Sequence, residues 1–167
     1  MQKAVVALAF GVPADLHSNK CIARSASQQA MKLGYVPIFT QLGMQMEDGL
    51  PAVHVSGEYR GHWANTMQMA AAAIDWAQQE SISELWIAAA TPHMSRCLRD
   101  FRWIVMQKGL TIAIHECPQT QHFTDSDWFR AESEQFRTQS KLKWWLWNGV
   151  LQCLPMSLYS KLTDKPL

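Results

Sequence analysis

The sequence predicts a single α/β domain over residues 1–167. Its core is a mostly parallel sheet of four to five strands in a three-layer arrangement, and a helical, Trp-rich extension over 126–167 packs on it. Three observations lead there. Apolar runs of strand length recur at 4–10, 35–42, 52–56, 85–90 and 110–115. Segments with helical periodicity lie between most of them, and such alternation signals a parallel sheet covered on both faces. The chain of 167 residues is long enough for one core and too short for two comfortable ones.

Taken in order, 4–10 is a continuous apolar run closed by Gly11, Val12 and Pro13. Such a run reads as a central strand buried on both faces. Lys3 ahead of it imitates a secretion signal, but the run is too abruptly ended for one. Residues 19–33 carry polar and small side chains at helical spacing, with Gly34 where a C-terminal stop belongs. Strands at 35–42 and 52–56 are separated by only about nine residues (43–51), whereas a crossover helix needs roughly 10–12. That pair is therefore expected to be a hairpin, or one member is not a strand. Residues 62–80 place Trp63, Met67, Ala70, Ala71, Ile74 and Ala77 on one helical face. Residues 93–108 turn Met94, Leu98, Phe101 and Val105 inward, and Gly109 ends them. The stretch 128–143, rich in Arg, Glu, Gln and Ser, reads as a helix. The segment after it is apolar on two sides. Leu142, Trp145, Leu146, Val150 and Leu154 share one face, while Trp144, Trp147 and Leu151 fall on another. Such a helix is either packed into the core or meets a partner. With Lys141 and Lys143 beside Trp144, Trp145 and Trp147, it also suits an interfacial helix at a membrane surface or a protein contact.

Composition excludes several functions. Charged residues make up 17% and net charge is +1, without the basic excess of a nucleic-acid binder. The four cysteines form no CxxC pair, so neither a zinc ribbon nor a thioredoxin motif is present. His115, Cys117 and His122 offer ligand types but no recognised zinc spacing, and no metal is expected. No GxSxG, Walker A, GxGxxG or cysteine-phosphatase loop occurs. No run approaches the roughly 20 apolar residues needed to span a bilayer. A cytoplasmic protein, membrane-associated at most through its Trp-rich end, is the expectation.

Ligands of open parallel sheets bind beyond the carboxyl ends of the strands. The residues there are Ser18 and Arg24 after the first strand, Thr40 and Gln41 after the second, and Glu58, His62 and Asn65 after the third. The fourth strand runs into Thr91-Pro92-His93-Met94-Ser95-Arg96. Thr91 can cap the following helix and Pro92 suits its first turn. His93 and Arg96, three apart, share one side of that turn. With the helix N-terminus they form a seat for phosphate or carboxylate. Arg96, His93 and Arg24 would hold negative charge, and Asn65 and Ser18 would orient the ligand. His93, whose ordinary pKa is near 6.5, is the candidate general acid or base.

Thr91-x-His93-Met94-x-Arg96 after a buried strand resembles the YdcF/SanA/ElyC-like family of bacterial proteins. Ser18 and Arg24 fit that family's Ser and Arg on the first helix, Asn65 its helix-opening Asn, and Glu58 an acidic residue ahead of it. Phe101 and Gly109 follow at the expected places. The resemblance runs loosely over 4–117. The chain departs from the pattern in four places, the first being that 43–51 is too short for the helix the family has between its second and third strands. Thr40-Gln41-Leu42-Gly43 stands where the family has Ser-Gly-Gly, His62 replaces a Thr, and the glycines after the first strand are reduced to Gly11. The resemblance implies a Rossmann-like three-layer fold, a pocket for a small anionic or nucleotide-like ligand and a cell-envelope role. One similar protein is linked to S-adenosylmethionine. The family has no agreed reaction, so no cofactor and no catalysis is assigned. The alternative is an interaction module that docks through its Trp-rich helix.

Overall fold

The computed structural model describes residues 2–47, 49–55 and 64–161, with the backbone alone of 58–59, 62–63 and 162–163. In chain order the elements are β1 (Gln2–Ala7), α1 (His17–Lys32), β2 (Ile38–Gln41), β3 (Ala52–Val55), β4 (Glu58–Tyr59), β5 (His62–Trp63), α2 (Thr66–Gln79), β6 (Ile82–Ala88), α3 (Thr91–Gln107) and β7 (Ala113–Glu116). There follow α4 (Asp125–Trp128), α5 (Lys141–Cys153) and α6 (Met156–Thr163). The main sheet has the order β3-β2-β1-β6-β7, and every pairing in it is parallel. Helices flank it, giving a three-layer α/β fold of Rossmann-like form. The two-residue strands β4 and β5 pair antiparallel apart from it.

Central position explains the apolar run of β1. It lies between β2 and β6, and Ala4, Val5, Val6 and Ala7 are fully buried. Alternate side chains serve opposite layers. Ala4 and Val6, with Leu85 and Ile87 of β6, pack against Ala70, Ala73 and Ile74 of α2 and Phe101 of α3. Val5 and Ala7 face Ile22, Ala26 and Ala30 of α1. Trp128 and Trp144 from the C-terminal segment complete that second layer. Small residues on α1 and α2 let both helices approach the sheet closely. Gly34 and Gly109, both at positive φ, follow α1 and α3 as their spacing predicts.

Three expectations are corrected. β2 and β3 are both strands, and they pair parallel rather than as a hairpin. Their connection, 42–51, contains no helix. Met44 is buried instead, and Met46 and Leu50 pack against the α1 layer. Ser27 Oγ accepts from Glu47 N at 3.1 Å. Flexible thioethers thus fill the space a crossover helix would occupy. The helix expected from 62 starts at Thr66, because Asn65 and Gln68 form a reciprocal capping box there. The stretch 128–143 is not one helix. Between α4 and α5 it is irregular, with a single 3-10 turn at Phe136–Thr138.

The irregular stretch is stitched to the loop after β1. Ser133 Oγ accepts from Val12 N and donates to Val12 O, both at 3.3 Å, and lies 2.8 Å from Thr138 Oγ1. Glu134 N donates to Val12 O at 2.8 Å. Gly11, at φ +96°, makes this approach feasible. A Cβ there would lie 2.8 Å from Ser133 Oγ and 3.0 Å from Leu16 Cδ1. Gly34 has similar φ but open space around it. Gly11→Ala is therefore expected to lower unfolding free energy by about 2–3 kcal/mol, against about 1 kcal/mol for Gly34→Ala. Denaturant melts of the two variants check this, and equal losses would leave strain alone as the cause.

Candidate ligand-binding site

A cavity of about 300 Å³ opens at the carboxyl ends of β1 and β2. Leu8 to Ala14 form one wall, and Gln41, Leu42 and Met44 another. Asn65 and Thr66 at the start of α2 and His93 and Arg96 in the first turns of α3 form the floor. Glu134, Gln135, Arg137, Thr138 and Trp144 close it from the C-terminal segment. Two helix N-termini thus converge on the space and bring partial positive charge.

Arg96 is only 5% exposed. Its Nη2 donates to Thr66 Oγ1 at 3.4 Å, and its guanidinium lies 5.0 Å from the Trp144 ring centroid. Among the described residues its Nε and Nη1 have no hydrogen-bond partner. His93 Nε2 is 3.0 Å from the same Thr66 oxygen, while its buried Nδ1 also lacks a partner. The imidazole packs edge-on against Trp144 and tilted against Phe10. Burial first, then the charges of Arg96 and Arg137, hold its pKa well below 6.5. His93 is therefore neutral at pH 7, and its ordinary titration range does not carry over to this site. Arg137 is also held below its usual value, by burial and by Arg96. The nearest carboxylate along α3 is occupied elsewhere. Asp100 accepts from Tyr159 Oη at 2.8 Å and from Arg99 at 3.3 Å. Glu134 is exposed at the rim.

Of the residues expected from sequence, Gln41, Asn65, His93 and Arg96 come together here. Ser18, Arg24, Thr40 and Thr91 do not. Ser18 is buried and donates to Phe10 O at 2.9 Å. It shapes the loop after β1, as does its neighbour Asn19, which accepts from Phe10 N and donates to Gly11 O and Pro13 O. Arg24 sits two turns into α1 and is exposed, outside the cavity. Thr40 is buried and donates to Ala7 O at 3.2 Å, joining β2 to β1. Thr91 does not cap α3. It is the first helical residue and donates to Thr120 O at 3.0 Å. Side chains of Glu58 and His62 lie outside the described residues. Gln41 lines the cavity and accepts from Ala9 N at 2.8 Å.

Sequence reasoning missed Thr66, Arg137 and the inward role of Trp144. Thr66 follows the capping Asn65 directly, a position the helix-start pattern could have flagged. Arg137 sits in irregular chain with no local signal. Its place in the site exists only through the stitching of 133–138 to Val12.

His115, Cys117 and His122 do not form a ligand set. His115 stacks on Trp86, and Cys117 is buried beside Ser25 O, with burial pushing its thiol up to about 12. Among the described residues a different trio has donor atoms within 4.8 Å of one another: His17, Cys21 and Asp127. There His17 Nε2 meets Asp127 Oδ1 at 3.1 Å and Cys21 Sγ at 3.4 Å, so the trio ties α1 to α4. Cys97 is buried, and burial raises its thiol far above the ordinary range, so it supplies no thiolate.

No family model, curated protein or solved structure matches the chain. Among the described residues no helix is long and apolar enough to cross a membrane.

The depressed pKa of His93 has a consequence for stability. Unfolded His93 takes a proton below pH 6.5, while the folded ring stays neutral. Stability from this residue is complete above pH 6.5 and is lost as pH falls below it. Titration of the unfolded chain caps the loss between pH 7.5 and 5.5 at about 1.4 kcal/mol. His93→Gln, which cannot titrate, is expected to remove that share of the pH dependence. Unfolding curves of both proteins at the two pH values give the comparison, and identical slopes would mean that folded His93 titrates normally.

Proposed function

We propose that the protein binds a small organic anion, phosphate-bearing and nucleotide-like, at the carboxyl ends of β1 and β2. The observation that carries this is the buried Arg96 guanidinium, with two unpartnered nitrogens beside a cavity that also receives Arg137. Buried charges are normally paired, and an unpaired one costs folding free energy. A bound oxyanion would accept a charge-assisted hydrogen bond from one of these free guanidinium N–H groups. Neutral His93 and the Thr66 hydroxyl adjoin it and would orient it by hydrogen bonds without adding charge. Leu8, Phe10 and Met69 give the rest of the ligand an apolar wall. About 300 Å³ lies at the small end of metabolite pockets. S-adenosylmethionine fits less well, since its sulfonium adds positive charge beside two guanidiniums.

The motif resembling the YdcF/SanA/ElyC-like family supports the same reading, because its His93 and Arg96 both reach the cavity. We leave the reaction unassigned. The Thr66–His93 contact is a hydroxyl beside an imidazole, yet no group orients Nδ1 among the described residues.

A calorimetric and thermal-shift panel of phosphate, pyrophosphate, nucleoside phosphates and sugar nucleotides tests the proposal. A ligand at 100 times its Kd stabilises by about 2.7 kcal/mol, a rise in Tm of about 5–10 °C here. Arg96→Met should do two opposite things. It should weaken the anion by about 1.5–3 kcal/mol and stabilise the ligand-free fold by about 1–2 kcal/mol. No response to any phosphate compound, or unchanged affinity in Arg96→Met, would overturn the assignment.

A further inference from the structure

The two apolar sides of α5 have different fates. Trp144 is 4% exposed and its Nε1 donates to Pro92 O at 3.0 Å, whereas Trp145 is 70% exposed. Leu142, Leu146 and Val150 share the outward side with Trp145 and are all more than half exposed. They follow the i, i+3, i+4, i+8 spacing of one helical stripe, about 20 Å long with the rest of the helix. Phe136 extends the patch and is equally open, with Lys143 Nζ 4.0 Å from its ring centroid. A contiguous apolar surface of this kind marks a contact with something outside the chain.

Charge decides what that is. α5 itself carries Lys141 and Lys143 beside this stripe and holds neither Asp nor Glu. Lys141 pairs with Asp125 of α4 at 2.6 Å. Lys143 and Lys161 have no acidic partner among the described residues. A two-fold contact between α5 stripes would set Lys141 and Lys143 against the same two lysines of a second copy and repel. An anionic lipid surface complements it. Outward Trp and Leu would enter the headgroup boundary while lysines stay at the phosphates.

We propose that the outward face of α5 docks this protein onto anionic membrane surfaces, in the interface plane and without spanning. The cavity lies against the opposite face of the same helix, so both sites can work at once.

Co-sedimentation of the full chain with phosphatidylcholine vesicles, with and without about one-third phosphatidylglycerol, tests this. Binding is expected to be at least about tenfold stronger on the anionic vesicles and to weaken with salt. Trp145→Ser/Leu146→Ser should abolish it. Both residues are exposed, so an unchanged Tm will show that the fold is intact. Arg96→Met should leave vesicle binding unaltered, which separates this proposal from the cavity. Failure to pellet with anionic vesicles overturns it, as does equal pelleting of the double variant. Light scattering that shows a dimer lost in the double variant would assign the face to a second copy and equally overturn it.

Discussion

Arg96 is a cation that the fold buries without a direct ion pair among the described residues. Its fourth neighbour along α3, Asp100, would ordinarily be the counter-charge, but both oxygens of Asp100 are committed to Tyr159 and Arg99. Arg137 adds a second positive group, whose charged form burial and Arg96 disfavour. Trp144 supplies a π-face and Thr66 one oxygen. Neither replaces a carboxylate, since a cation–π contact contributes only about 0.5–2 kcal/mol. The surrounding elements hold this unfavourable arrangement in place. Net folding free energies are small differences between large terms, so a domain tolerates such a site only where the remaining core is well packed. The fully buried faces of β1 and β6 meet that condition.

Much of this fold was legible from its apolar runs. β1 is continuous, central and buried on both faces, β6 buries Leu85, Ile87 and Ala88 beside it, and the glycines after α1 and α3 sit where spacing placed them. Local signals sufficed because local physics decides these elements. The His93–Arg96 turn was legible for the same reason: strand end, helix start and spacing all lie within six residues. Ser18 and Thr40 were misread because a short hydroxyl at a strand end serves two purposes equally well. It can face a ligand or satisfy a neighbouring carbonyl, and here Phe10 O and Ala7 O claim them. Arg24 failed on angle, since its place two turns into α1 carries it round to solvent.

The connection 42–51 and the segment 128–143 escaped for a different reason. Loop-length rules assume that a helix must cover the sheet between parallel strands. Met44, Met46 and Leu50 cover it without one, because what the layer needs is apolar volume rather than a particular backbone. The charged and polar content of 128–143 imitates an exposed helix. Its conformation is set instead by contacts over a hundred residues away in sequence, at Val12 and Gly11. No window of sequence contains both partners, so Arg137 could not be placed from pattern alone.

Periodicity also could not say which apolar side of α5 faces in. Both sides carry Trp and Leu, so transfer free energy alone ranks them nearly equal. Packing breaks the tie at Trp144. Its indole N–H finds Pro92 O, and its ring contacts Phe10 and His93 at centroid distances of 4.7 and 5.1 Å. Trp145 is the next residue, roughly 100° further round the helix. Once Trp144 is inside, Trp145 and the stripe that follows it must be outside. The geometry that completes the anion cavity is therefore the same geometry that leaves the cationic apolar face uncovered.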